Sequence, residues 1–232
     1  MLQPAPHGAA QAAQAARAAA AAVHSPTGSA SLWVQRWSHL VAPAARVLDV
    51  ACGAGRHVRW FAQRGCRVTG VDRDPAALGL ARAFPRSFPD GAEIVIADIE
   101  ADAWPLAGRR FDAVVVTNYL WRALLPTLTA SVDVGGVFIC ETFAAGNESV
   151  GKPSNPAFLL GPGELLGAVA GLRVVAFEDG FEPASANTAP RFVQRIVAVR
   201  EPASHGAPLR HGLQSPAAQT AQVKSADSKG LA

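Results

Sequence analysis

Apolar positions in this chain fall into short continuous runs separated by periodic or polar stretches. Five of them, Arg46–Val50, Arg67–Val71, Glu93–Ala97, Phe111–Val116 and Val137–Thr142, read as strands. Continuous Val/Ile-rich runs of this length mark a parallel sheet covered on both faces. Val58, Phe61 and Ala62 recur at i, i+3 and i+4 and predict a helix from about Gly55 to Arg64, closed by Gly65. Asp74 and Pro75 open a second helix with Ala77, Leu80, Ala81 and Phe84 inward, and Pro85 stops it. Leu120, Leu124, Leu125 and Leu128 predict a helix interrupted at Pro126, and Gly135-Gly136 then turns the chain into the fifth strand. After a long loop, Ala144–Leu160, Pro162 opens a short helix carrying Leu165, Leu166 and Val169. Leu172–Phe177 and Arg191–Val199 follow with only a loop between them, which pairs them antiparallel at one edge. The expected fold is α/β: a seven-stranded, mostly parallel sheet with helices on both faces and one antiparallel edge strand.

The pattern fades at both ends. Residues 1–30 are low-complexity Ala, Gln, Pro, Ser and Gly, with no carboxylate and one formal side-chain charge, Arg17. They resemble a transit peptide weakly and are expected to be a disordered alanine-rich extension. Residues 201–232 are read as a disordered tail, leaving one domain over 31–200. At the start of that domain Trp33 and Trp37 share a helical face. Two roles stay open for this helix: covering the core edge, or lidding a pocket.

Composition narrows the function classes. Half of the 232 residues are hydrophobic and the formal net charge is +3. There is no Lys/Arg cluster and no RNA-binding signature, so a nucleic-acid partner is not expected. No apolar run reaches the roughly 20 residues that span a bilayer. Cys52, Cys66 and Cys140 form no CxxC pair and read as reduced core thiols of a cytoplasmic protein. No metal is expected, and the oligomeric state is not written in the sequence.

The chemistry concentrates in Val47-Leu48-Asp49-Val50-Ala51-Cys52-Gly53-Ala54-Gly55, an apolar strand ending in an acid and a glycine turn. Such a joint lets a nucleotide-like ligand approach the backbone. A carboxylate at the strand end repels pyrophosphate but holds a cationic amino-acid group or a hydroxyl. Asp72 and Asp98 follow the second and third strands, each about one strand–helix repeat further on. In a parallel sheet all three carboxylates gather at one edge. Asp72 suits two vicinal ribose hydroxyls, Asp98 an exocyclic adenine amine and Asp49 an ammonium. Together these demands describe S-adenosylmethionine.

At these residues, with Gly70-Val71-Asp72, Ala97-Asp98-Ile99-Glu100, Phe111–Val116 and Gly135-Gly136-Val137, the chain resembles the Rossmann-like class I S-adenosylmethionine-dependent methyltransferases. Gly53-Ala54-Gly55-Arg56-His57, Glu141-Thr142-Phe143, Asn155–Leu160 and Gly163–Leu166 are similar, more loosely, to the small subgroup that includes tellurite-resistance-type enzymes. The resemblance implies a cofactor set of Asp49, Ala51, Cys52, Gly53, Gly55, Asp72, Arg73, Asp98, Ile99 and Asn118. One departure stands out. Ala51 occupies a place where the commonest family turn has glycine, which implies a negative φ there. Ile99 packs on the adenine or in the core, and Arg56 and His57 lie beside the site or face solvent. Acceptor contacts are expected from Trp33, Tyr119, Trp121 and Glu141, with Glu141 a base or a salt-bridge partner. The Asp/Asn-Pro-Pro-Tyr motif of adenine and glutamine N-methylation is absent after the fourth strand. The expected activity is methyl transfer to a small molecule. The alternatives are an RNA methyltransferase and a non-catalytic S-adenosylmethionine-binding module. A nicotinamide-dependent oxidoreductase would want glycine where Val58 stands, and no Asp49.

Overall fold

A computed structural model of the chain describes residues 28–75, 79, 92–185, 188–203 and 209–213. Seven strands form one sheet: β1 (Arg46–Val50), β2 (Arg67–Asp72), β3 (Ala92–Ile96), β4 (Phe111–Thr117), β5 (Val132–Phe143), β6 (Arg173–Glu182) and β7 (Arg191–Val199). Their spatial order is β3-β2-β1-β4-β5-β7-β6. The first five are parallel, and β7 runs antiparallel to both β5 and β6. The reversed strand therefore lies one place in from the edge, flanked outside by β6. The order changes direction at β1, whose neighbours are β2 and β4, so the carboxyl ends of β1 and β4 flank the topological switch point where open α/β sheets hold ligands.

Alternation along each strand sorts the core into two layers. On one face Leu48, Val50, Val114, Val116, Phe138, Cys140 and Ile196 pack with Leu125 and Leu128 of helix α3 (Leu125–Ala130) and Leu165 of helix α4 (Glu164–Ala168). On the other, Val47, Ala113, Val115, Val137, Ile139 and Val197 pack under helix α1 (Leu32–Trp37) and helix α2 (Arg56–Ala62). Trp33 and Trp37 are both buried in that second layer, 5.7 Å apart edge to face, so α1 is packed into the core whatever else it does. Ser31 caps it, its hydroxyl accepting from the Val34 N–H.

Several boundaries differ from the pattern-based expectation. Pro126 does not break its helix; it sits in the first turn of α3, where a missing N–H costs nothing. The fifth strand starts at Val132 rather than Val137, with Gly135 at φ +82° and a register shift opposite Phe111–Ala113. An irregularity of this kind hides a strand from a hydrophobicity scan. β6 runs on to Glu182, because Glu178 and Glu182 pair with arginines of β7 instead of ending the strand. The helix expected after Asp74 lies, apart from Pro75 and Gly79, outside the described residues, as do residues 1–27, 204–208 and 214–232. Within the expected tail, Nε2 of His211 lies 3.1 Å from Glu201, and the Gly212 carbonyl lies 2.9 Å from Nε2 of His39. No described helix is long and apolar enough to cross a membrane.

Candidate active site

β1, β2 and β3 are parallel, so Asp49, Asp72 and Asp98 come to one edge of the sheet. The turn after β1 is tight. The Cys52 N–H returns to the Val71 carbonyl at 3.1 Å and the Gly55 N–H to the Cys52 carbonyl at 2.9 Å. Ala51, Gly53 and Gly55 all take positive φ, at 52°, 52° and 77°. The expectation of a negative φ at Ala51 is thus wrong. The turn dictates the left-handed conformation, and alanine accepts it at a cost of about 1–2 kcal/mol. Cys52 packs beneath the turn; burial, with Asp49 and Asp72 adding to it, drives its thiol far above the ordinary range, so it is no nucleophile. A Cβ on Gly70 would meet Cys52 Sγ at 2.9 Å and Val58 at 3.1 Å, which is why the strand beside the turn carries glycine.

The three carboxylates sit in different surroundings. Asp72 is half-buried and braces the turn: Oδ2 accepts from the Gly53 N–H at 2.8 Å and Oδ1 from the Asp74 N–H at 3.0 Å. Asp98 accepts from Arg73 Nη1 at 3.1 Å and from the Glu100 N–H at 3.1 Å, so it also caps its own turn. Each of these oxygens keeps a second lone pair. Ile99 is buried in the first core layer. Asp49 is 1% exposed, and its Oδ2 has no hydrogen-bond partner among the described residues. Burial pushes its carboxyl up to about 7; Arg56 pulls it down and Asp72 pushes it further up.

Around Asp49 lies a polar group of which the sequence pointed to Arg56, His57 and Glu141 but not to Thr117 or Arg195. His57 is buried, with Nδ1 3.8 Å from Asp49 Oδ1 and 3.5 Å from Thr117 Oγ1. Arg56 Nη2 donates to Thr117 Oγ1 at 3.4 Å, and burial lowers the pKa of its guanidinium. Thr117 pairs in register with Glu141 of β5, Glu141 with Arg195 of β7, and Arg195 with Glu178 of β6. One side-chain row therefore crosses four strands on the face beneath α1. Glu141 is fully buried; its Oε2 accepts from Arg195 Nε and lies 3.7 Å from Arg191 Nη2, while Oε1 has no partner among the described residues. Arg195 completes itself on Glu178 at 3.3 Å and Glu182 at 2.8 Å. The row ends at α1, where Arg36 reaches Glu178 at 3.1 Å and stacks over Trp33 and Trp37.

Among the expected acceptor residues, Trp33 belongs to α1 and Glu141 to this row, whereas Tyr119 packs against the opposite core layer and Trp121 is 37% exposed. Asn118 stands between β4 and these residues at φ +54°, its N–H on the Glu141 carbonyl at 2.9 Å and its buried Oδ1 without a partner among the described residues. Thr117 and Arg195 carried one faint signal: polar residues in otherwise apolar strands, on the same alternate as Glu141. No group of three or more metal-ligating side chains occurs among the described residues.

Residues 47–133 match a family model described as a methyltransferase domain. Malonyl-[acyl-carrier protein] O-methyltransferase of Serratia marcescens is 32% identical over 111 residues, 45% of this chain and 41% of that protein. Ubiquinone biosynthesis O-methyltransferase of Stutzerimonas stutzeri is 34% identical over 89 residues, 38% and 37% of the two chains. The chain spans less than half the length of these curated relatives. Among solved structures, TehB from Haemophilus influenzae superposes with a TM-score of 0.58 at 18% identity, over 71% of this chain and 60% of that one, a likeness of fold. The stretch that matches a methyltransferase domain, residues 47–133, runs from β1 to the start of β5, so the three strand-end carboxylates and the left-handed turn after β1 all lie within it.

Proposed function

We propose that the protein methylates a small-molecule acceptor, with S-adenosylmethionine as the donor. One observation carries the reading: Asp49 is a fully buried carboxylate with an oxygen left open beside a backbone turn. A buried acceptor without a donor costs free energy, and an amino-acid ammonium offsets that cost. Arg56, close enough to Asp49 to lower its pKa, then faces the carboxylate of the same zwitterion. Asp72 takes the ribose hydroxyls while still bracing Gly53, Asp98 takes the adenine amine, and Ala51, Cys52, Gly53 and Gly55 line the turn. Arg73, held by Asp98, Ile99 and Asn118 complete the cofactor set.

When bound, S-adenosylmethionine supplies a methyl group already made electrophilic by its sulfonium. The chain's own residues align the acceptor and exclude water. Of the expected acceptor residues, Trp121 is the one open to an incoming molecule, while Trp33 is buried in α1. A small-molecule acceptor is favoured by the name of the ubiquinone-biosynthesis relative, whereas relatives named for ribosomal RNA methylation match shorter stretches, of 43 and 80 residues. It is also favoured by the pairing of Arg46, Arg109, Arg122, Arg173 and Arg195 with carboxylates, which leaves these cations little field for a nucleic acid. The free, buried thiols Cys52, Cys66 and Cys140 fit a reducing cytoplasm.

Calorimetry with S-adenosylhomocysteine tests the reading. Micromolar binding is expected, weakened at least tenfold in Asp72→Ala, because charge-assisted hydrogen bonds contribute roughly 1.5–3 kcal/mol. No binding at millimolar ligand overturns it. Binding without transfer of labelled methyl to any small molecule points instead to a non-catalytic module.

A further inference from the structure

We infer that the methyl acceptor is a protic nucleophile, an amine or a hydroxyl, whose N–H or O–H is received by Oε1 of Glu141. This rests on the methyltransferase reading and names its substrate class. Glu141 is 1% exposed, and its two oxygens differ. Oε2 is held by Arg195, with Arg191 close by, while Oε1 has no partner among the described residues. A buried carboxylate oxygen is not left open without a reason.

Its placement supplies the reason. Glu141 is the register partner of Thr117, whose hydroxyl receives Arg56, and Arg56 feels the charges of both Asp49 and Glu141. The open oxygen thus belongs to the same buried polar group as the carboxylate assigned to the cofactor ammonium, two strands further along the sheet. While the open N–H groups of Trp33, Arg36 and Trp37 belong to α1, the open atoms at the strand ends, Asp49 Oδ2, Asn118 Oδ1 and Glu141 Oε1, are all acceptors as carboxylates or amide. What fills them has to bring hydrogen. An oxyanion or a thiolate brings none and meets Glu141 as a like charge. The nearby cations do not reverse this. Arg191 and Arg195 are committed to Glu141, Glu178 and Glu182, and Arg56 sits between two carboxylates.

In the step itself, the lone pair of nitrogen or oxygen forms the new bond to the methyl carbon. The carbon–sulfur bond breaks and its electron pair returns to sulfur, leaving the thioether. The proton shed by the acceptor passes to Glu141 Oε1 and on to water.

The test uses the full chain with methyl-labelled S-adenosylmethionine and four probes: phenethylamine, catechol, 2-mercaptoethanol and selenite. Label is expected on the amine or the catechol. Glu141→Gln is expected to lower kcat/KM for that probe at least tenfold while S-adenosylhomocysteine affinity stays within twofold. Label on thiol or selenite alone, transfer to neither protic probe with S-adenosylhomocysteine still bound, or a Glu141→Gln rate equal to wild type overturns the inference. If Glu141→Gln does not fold, the wild-type probe panel decides alone. Failure to bind S-adenosylhomocysteine is a different result and removes the methyltransferase reading itself.

Discussion

The backbone N–H of Ser31 donates to Nε2 of His57 at 3.2 Å, across 26 positions of sequence. A ring nitrogen that accepts carries no proton, so the neutral imidazole keeps its hydrogen on Nδ1, the nitrogen facing Thr117 and Asp49. The entry to α1 and the carboxylate of β1 are thereby tied through one ring. His57→Phe keeps the volume but leaves the Ser31 N–H without its acceptor. It should lower stability by about 1–3 kcal/mol and shift the emission of the buried tryptophans of α1 to longer wavelength. Urea unfolding followed by tryptophan fluorescence checks both, and an unchanged midpoint and spectrum would show that the ring does not hold the helix.

Asp49 makes stability and binding pull in opposite directions. Its carboxyl titrates near 7 in the folded chain against an ordinary value of 3.8. Between these values the folded state holds a proton that the unfolded state has released, so this group's contribution to stability falls as pH rises through that window. Asp49→Asn should therefore raise the urea midpoint at pH 8 and leave it nearly unaltered below pH 4. The same substitution should weaken S-adenosylhomocysteine binding at least tenfold, and wild-type affinity should climb from pH 6 to pH 8. A variant no more stable than wild type at pH 8 would contradict the assignment of burial as the dominant effect.

The turn itself can be relaxed or jammed. Ala51→Gly removes the left-handed penalty at φ 52° but frees the unfolded chain, for a net gain of up to about 1 kcal/mol. Gly70→Ala pushes a methyl against Cys52, Ile94 and Val58 and should cost about 1–3 kcal/mol. Paired denaturation curves would test the opposite signs, and two variants moving the same way would mean that the turn is not set by these contacts.

Gln194 is a structural counterpart on the other face. It is fully buried, accepts from the Leu165 N–H at 2.7 Å and donates to the Gly161 carbonyl and Asp179, both at 2.9 Å. Gln194→Leu should cost about 2–4 kcal/mol by stranding those partners, with little effect on S-adenosylhomocysteine affinity. Thermal melts with and without ligand separate the two effects, and a comparable loss of both would place Gln194 in the site.

The parallel sheet was legible because its strands are continuous apolar runs, and the gathering of Asp49, Asp72 and Asp98 at one edge was legible because each stands at or just past the end of such a run. The fifth strand began too late because Gly135 interrupts it with a left-handed residue, and β6 was cut short because its acids look like loop until their arginine partners are known. Ala51 misled for a similar reason: a preference averaged over all alanines gives way where hydrogen bonds on both sides fix the turn. The row Thr117–Glu141–Arg195–Glu178 stayed hidden because it is a fact of register. Its members lie on four strands, and only pairing between distant segments aligns them.

Because β7 inserts between β5 and β6, the order in which the protein is made differs from the order in which it is arranged. A chain leaving the ribosome has β1 to β5 in hand, with the cofactor edge among them, while Glu141 still lacks the arginine that balances its charge. Arg195 emerges later, and slots the last strand beside β5. The buried Glu141 therefore gains its counter-charge only when the last strand is in place, so a chain stopped short of β7 would hold an uncompensated carboxylate in its core.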